Sequence, residues 1–200
     1  MNIETWLKKP ILDEIHLLKH RDLALDIGAN VGSWTQTLSG LFRQVIAVEP
    51  DPRAYEKITI SNNTTLITKA VADKTEQRTL FYRPEPDQNS LLEIHPIGNA
   101  ETRDLPHTEV KLVDCICLDD ICSSSIADFV KIDIEGGETL ALQGCKDLRL
   151  WKNTLFLIEC HDTYKEVKKE LERLNKQITK IRHPINGAHP GHCWAIGKPS

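Results

Sequence analysis

The chain reads as an α/β protein, a doubly wound, Rossmann-like sheet of mostly parallel strands, and three observations predict it. Short apolar runs alternate with segments of helical spacing, a glycine turn stops the first run, and an acid closes the second. Strands that alternate with helices favour a parallel sheet covered on both faces and joined by right-handed crossovers.

The elements follow in order. Trp6, Ile11, Leu12, Ile15, Leu17 and Leu18 have helical spacing, which predicts an N-terminal amphipathic helix within residues 1–20 that caps the sheet. Leu23–Ile27 is an apolar run of the kind buried on both faces, and residues 32–42 return to helical spacing. Val45–Val48 is a second buried strand; Pro50 and Pro52 end it and start a helix predicted to run to about Ser61. A third strand is expected over Leu66–Ala72, and period-two alternation marks Arg78–Tyr82 and Val110–Leu118 as extended. Phe129–Ile134 and Thr154–Cys160 are the fourth and fifth core strands, each followed by a helix, Glu138–Leu148 and Tyr164–Asn175. Ile178–Ile181 and Cys193–Ile196 close the chain as short strands, the last one antiparallel. Between the two extended segments lies a polar connection, residues 84–107, with four prolines and few apolar anchors. So long a connection in a small domain is usually functional, and it reads as a substrate lid.

At 200 residues the chain accommodates one core and one site, so residues 1–200 are expected to be a single domain. A net charge of −4 leaves no excess of cation to neutralise a phosphate backbone, which disfavours nucleic acid as a partner. No apolar run approaches the roughly 20 residues of a membrane helix, and the N-terminus lacks a signal-peptide core. No membrane partner is therefore expected, and the expected compartment is the cytoplasm. Of the six cysteines, Cys115, Cys117, Cys145 and Cys160 fall in or beside apolar elements and read as reduced core thiols. His183, His189, His192 and Cys193 cluster near the C-terminus, but their spacing matches no zinc pattern.

In an open parallel sheet the ligand lies beyond the carboxyl ends of the strands, where strand order reverses. The first strand ends Asp26-Ile27-Gly28-Ala29-Asn30-Val31-Gly32, and glycines there let the backbone turn sharply and approach a ligand closely. Glu49, 21 residues beyond Gly28, stands at the tip of the second strand, where a ribose can donate two hydroxyl hydrogen bonds to it. An adenosine-type cofactor is implied. A dinucleotide would want three glycines and a helix N-terminus free of acids, whereas Asn30 occupies the middle position here and Asp26 precedes the turn. A carboxylate there repels pyrophosphate and suits the cationic amino-acid end of S-adenosylmethionine.

Leu25–Gly32, Val48-Glu49-Pro50, Ala70–Asp73, Val130–Glu138 and Leu157-Ile158-Glu159 together resemble the successive motifs of the FkbM-type methyltransferases, in the right order over residues 23–161. The resemblance implies a class I methyltransferase sheet and transfer of a methyl group from S-adenosylmethionine, mostly to hydroxyls of sugars, glycans and secondary metabolites. It also implies that Asp26, Gly28, Asn30 and Gly32 surround the methionine end, that Glu49 holds the ribose, and that Ala70 and Val71 lie by the adenine.

Methyl transfer to an alcohol is an in-line displacement that needs a group to take the hydroxyl proton. Asp133, Glu135 and His161 stand at strand ends and are the candidates, Asp133 first; alternation puts Asp133 and Glu135 on one face if the extended form continues. The same three residues offer ligands for Mg²⁺, and base and metal both stay open. Glu138 is assigned to favouring the N-terminus of the following helix. Lys131 is either catalytic or paired with a neighbouring carboxylate, His161 either a helix cap or a base, and Trp34 a core residue. For Asn89 and Ser90, loop solvation is the simpler account. N-methylation is the weaker enzymatic reading, because no Asn/Asp-Pro-Pro-aromatic tetrad follows the fourth strand. A cofactor-binding module without catalysis and a nicotinamide oxidoreductase are the remaining alternatives.

Overall fold

In a computed structural model, which describes residues 3–84, 86–93, 108–122, 125–182 and 192–199, the first apolar run is the centre of the sheet. Leu23–Ile27 (β1) is buried at every residue and pairs in parallel with Gln44–Val48 (β2) on one side and Phe129–Ile132 (β7) on the other. Thr64–Ile67 (β3) extends the sheet beyond β2, and Leu155–His161 (β8) extends it beyond β7, both in parallel. His192–Pro199 (β10) then pairs antiparallel with β8, and Lys176–Arg182 (β9) pairs antiparallel with β10. The seven-stranded order is β3-β2-β1-β7-β8-β10-β9, the expected doubly wound sheet with β10 running against the rest. Strand order reverses between β1 and β7, so the cleft of such a sheet belongs at their carboxyl ends.

Alternation sorts the side chains onto two faces. Leu23, Leu25, Ile27, Val130, Ile132, Phe156 and Ile158 pack with Leu142 of helix Glu138–Gln143 (α5) and with Val167 and Leu171 of helix Tyr164–Arg173 (α7). Ala24, Phe129, Leu155, Leu157, Trp194 and Ile196 pack on the other face with Ile11 and Ile15 of helix Ile3–His16 (α1) and with Trp34 and Leu38 of helix Ser33–Ser39 (α2). Trp34 is thus core, and α1 covers the sheet as expected.

Four expectations need correction. The third strand is two: β3 stops at Ile67, and Ala70–Val71 (β4) joins a separate three-stranded sheet with Gln77–Tyr82 (β5) and Glu109–Ile116 (β6), in the order β4-β6-β5. The chain changes sheet there because it must cross from the edge of the main sheet to the cleft. The helix after β2 is one turn, Pro52–Tyr55 (α3), since the following Thr59, Ile60 and Ser61 are poor helix formers. The strand Phe129–Ile134 ends at Ile132, where the chain turns through left-handed Glu135 (φ 53°) and Gly136 (φ 96°). The helix Glu138–Leu148 stops at Gln143 with Gly144 as its cap, and a separate turn, Leu148–Trp151 (α6), follows; Leu118–Ile121 (α4) precedes β7. All six cysteines are buried free thiols. Among the described residues no helix is long and apolar enough to cross a membrane.

Candidate active site

A cleft of about 660 Å³, its open mouth included, lies at the carboxyl ends of β1, β2 and β7. Gly28, Asn30, Glu49, Ala70, Val71, Asp133 and Glu135 all line it, so seven of the ten residues singled out in the sequence meet on one wall system. The turn after β1 explains its glycine. Gly28 has φ +73°, and a Cβ there would sit 1.8 Å from the Asp133 carbonyl oxygen, so only glycine lets the β1 turn pass the end of β7. Asn30 is also left-handed (φ 48°), and its N–H donates to Glu49 Oε2 at 3.0 Å, while Asp51 N–H donates to Oε1 at 3.0 Å. Two backbone donors thus fix the Glu49 carboxylate on the wall. Burial nevertheless pushes its pKa up to about 7, with the two amides pulling the other way.

The remaining three residues lie behind the wall. Gly32 packs against Ile58 rather than the cleft. Asp26 is fully buried under the cleft, where Thr35 Oγ1 donates to its Oδ2 at 2.6 Å and Lys131 Nζ lies 3.4 Å from its Oδ1. Lys131 also donates to the Gly28 carbonyl at 2.7 Å and lies 3.4 Å from Asp133 Oδ2. Of the two roles open to Lys131, the geometry is that of pairing. Burial opposes its charge, but Asp133 and Asp26 outweigh that and hold the ammonium above its ordinary range.

His161 ends β8 and is 3% exposed, with Nε2 3.2 Å from Glu135 Oε1 and 3.8 Å from Asp133 Oδ1. Asp133 and Glu135 therefore do converge, but through the left-handed turn rather than through continued extension. Glu138 does more than favour the N-terminus of its helix: fully buried, it meets His161 Nδ1 at 2.9 Å, accepts from Thr163 Oγ1 at 2.7 Å and accepts from Gly136 N at 2.9 Å. The only signal for it in the sequence was an acid three residues beyond Glu135. Burial works against the His161 imidazolium, yet Glu135 and Glu138 prevail and raise its pKa well above the usual value. Asp133 is raised too, by burial first and by Glu159 next.

Asn89 and Ser90 are not merely solvated. Ser90 Oγ donates to the Glu135 carbonyl at 2.7 Å, and Asn89 Nδ2 donates to Asp51 Oδ2 at 2.6 Å while its Oδ1 accepts from Arg83 N at 2.8 Å. Arg53 completes this clasp by pairing with Asp51 at 2.8 Å and donating to the Arg83 carbonyl at 3.0 Å. In this way the start of the long connection forms part of the cleft; the rest of the expected lid, residue 85 and residues 94–107, lies outside the described residues. So do His183 and His189, while Cys193 is buried in the core on the face opposite His192.

The family profile for the methyltransferase FkbM domain matches residues 26–182, the span that holds every residue just described from Asp26 to His161. The chain belongs to the FkbM methyltransferase family. The fold agrees: the FkbM methyltransferase of Methylobacillus flagellatus KT superposes with a TM-score of 0.56 at 20% identity, covering 90% of this chain and 45% of that one. This FkbM domain thus spans under half the length of that relative. A precorrin-6y C5,15-methyltransferase from Geobacter metallireducens GS-15 matches with a TM-score of 0.55 at 17% identity, over 97% of this chain and 88% of that one. A Streptococcus mutans protein solved in complex with S-adenosylhomocysteine matches with a TM-score of 0.51 at 12% identity, over 95% and 97%. The comparison with curated protein sequences found no match.

Proposed function

We propose that this FkbM-family methyltransferase uses S-adenosylmethionine to methylate a hydroxyl on a small-molecule or glycan acceptor. The observation that carries the reading is the pairing, on one cleft, of a carboxylate held for a ribose with a carboxylate at the end of β7 for the reacting hydroxyl: Glu49 and Asp133. The residues suit the cofactor. Each Glu49 oxygen already takes one amide and keeps a lone pair for a ribose hydroxyl. Ala70, Val71, Leu80 and Leu91 offer an apolar slot for a purine, and Glu49, Asp133 and Glu135 make the cleft hostile to a pyrophosphate. Asp26, buried and paired with Lys131, does not line the cleft and acts from beneath by holding the ammonium that ties down the Gly28 carbonyl.

When bound, S-adenosylmethionine supplies an electrophilic methyl group whose bonding pair returns to sulfur. Glu49 would hold the nucleoside, and the Gly28 turn leaves room for the rest of the cofactor. Asp133 would take the proton of the acceptor hydroxyl. Glu135 and His161 stand close enough to share that proton's charge. Ser90, which ties the connection to the Glu135 carbonyl, helps close the cleft against water.

Calorimetry with S-adenosylhomocysteine, followed by transfer from methyl-labelled cofactor to a panel of sugars and to metabolite extracts, tests the proposal. Binding and label on a hydroxyl are expected. Absence of binding removes the cofactor assignment, and binding without any labelled product from extract favours a cofactor-binding module.

A further inference from the structure

Glu159 and His192 take no part in the proposed transfer chemistry, and His161 links them to it. The face of the sheet that carries Phe129, Leu155 and Leu157 changes character toward its carboxyl end, where Glu159 and His161 of β8 replace leucine. Glu159 and His161 are two residues apart and so share a face, and the β8–β10 register sets His192 directly opposite His161. The two imidazole rings lie 5.1 Å apart at 32°, and His192 Nε2 is 2.5 Å from Glu159 Oε1. One ligand atom from each of Glu159, His161 and His192 falls within 4.8 Å of the other two. All three residues are largely buried, with side-chain exposures of 13%, 4% and 18%.

We infer that Glu159, His161 and His192 bind one divalent transition-metal ion, of the Mn²⁺, Fe²⁺ or Zn²⁺ kind, immediately behind the acidic wall of the cleft. Three features of the geometry bear on this. Ligand atoms about 2.1 Å from an ion stand about 3 Å apart, so binding must open the 2.5 Å contact of His192 with Glu159 and draw in His161, whose ligand atom lies within 4.8 Å of both. His161 has the partner that metal-bound histidines have: buried Glu138 holds Nδ1 and leaves Nε2, which lies beside Glu135, to take an ion. The surroundings are also anionic, with Asp133, Glu135 and Glu138 beside His161, and a divalent cation answers that charge. Two imidazole nitrogens with one carboxylate select a transition metal over Mg²⁺, which prefers an all-oxygen shell. An ion here would sit within reach of Glu135 and lend positive charge to the place where a hydroxyl must lose its proton.

The site depends only on this chain's side chains and is read without cofactor, so its failure and that of the methyl-transfer proposal are separable. The 200-residue chain, stripped with chelator, is titrated with Co²⁺ and followed by its visible d–d absorption and by bound metal per chain. One Co²⁺ per chain is expected, retained in the presence of millimolar Mg²⁺. Affinity should fall at least ~100-fold in His192→Ala and in Glu159→Gln, and ~10- to 100-fold in Glu138→Gln, which only orients the ligand. His16→Ala, an exposed histidine on α1, should bind as the parent does. His192→Gln, checked for folding by circular dichroism, serves if alanine loosens β10. Absence of stoichiometric Co²⁺ overturns the inference. So does binding that survives both His192→Ala and Glu159→Gln but is lost in Asp133→Asn, because the ion would then belong to the oxygen ligands of the β7 turn.

Discussion

Burial holds the Glu49 carboxyl near pH 7, and a ribose that donates hydroxyl hydrogen bonds needs the ionised form. Affinity for S-adenosylhomocysteine should therefore rise through neutrality. With one group of pKa about 7, binding at pH 8 should be roughly tenfold tighter than at pH 6, with proton release on binding, and Glu49→Gln should flatten the profile. Calorimetry across that range in buffers of different ionisation enthalpy measures both. The same shift acts on stability with the opposite sign. The folded state holds a proton that the unfolded state loses near 4.5, so Glu49 lowers stability as pH rises from 4.5 to 7, by an amount of order 3 kcal/mol. Gly28 is the other residue where local physics is decisive. Gly28→Ala would combine a left-handed φ with a Cβ driven into the Asp133 carbonyl, and it should cost roughly 3–5 kcal/mol in denaturant unfolding. Glycine and acid were both legible in the sequence, because each is demanded by a local turn and a fixed spacing. Glu138 was not, since its partner His161 arrives from another strand.

Where β1 and β7 pair, an ion pair sits inside the sheet. Asp26 and Lys131 are direct neighbours in register, both buried; Thr35 of α2 donates to Asp26 Oδ2 and Lys131 donates to the Gly28 carbonyl, while Asp26 Oδ1 has only the ion-pair contact with Lys131. Removing one partner leaves a buried charge alone, so Lys131→Met should destabilise the protein by about 3–5 kcal/mol. Adding Asp26→Asn should restore a large part of that, and a double-mutant cycle in urea reads the coupling. If the single and double variants were equally unstable, the pair would not be the pillar of the turn. A second ammonium acts between elements in the same manner. Lys176 at the start of β9 donates to the carbonyls of Trp151, Lys152 and Thr154, closing the end of α6. Lys176→Met should cost about 2–4 kcal/mol by taking the ammonium from those carbonyls, of which that of Trp151 keeps Thr154 N–H as a donor. Elements with a single strong period, such as β1, β2 and α7, were predicted nearly to their ends. The strand Leu66–Ala72 was not, because an apolar run carries no mark of where the chain leaves one sheet for another.

For the molecule as a whole, a ligand that binds only the folded chain must raise the unfolding temperature. Saturating S-adenosylhomocysteine at about 100 times its Kd adds about 2.7 kcal/mol, or roughly 5–10 °C for a domain of this size, while NAD⁺ should add nothing. Differential scanning fluorimetry distinguishes the two, and a shift with NAD⁺ alone would reverse the choice of cofactor.

What the sequence determined by itself was the order of strands and helices, the glycine turn after the first strand and the acid 21 residues beyond it, all of which rest on short-range periodicity and backbone sterics. Tertiary structure alone decided which of these residues face the cleft. It placed Asp26 beneath the wall as the counter-ion of Lys131, brought Ser90 onto the Glu135 turn, and set His192 opposite His161. Burial, register and long-range charge act between segments far apart in the chain, so no local pattern of residues records their outcome.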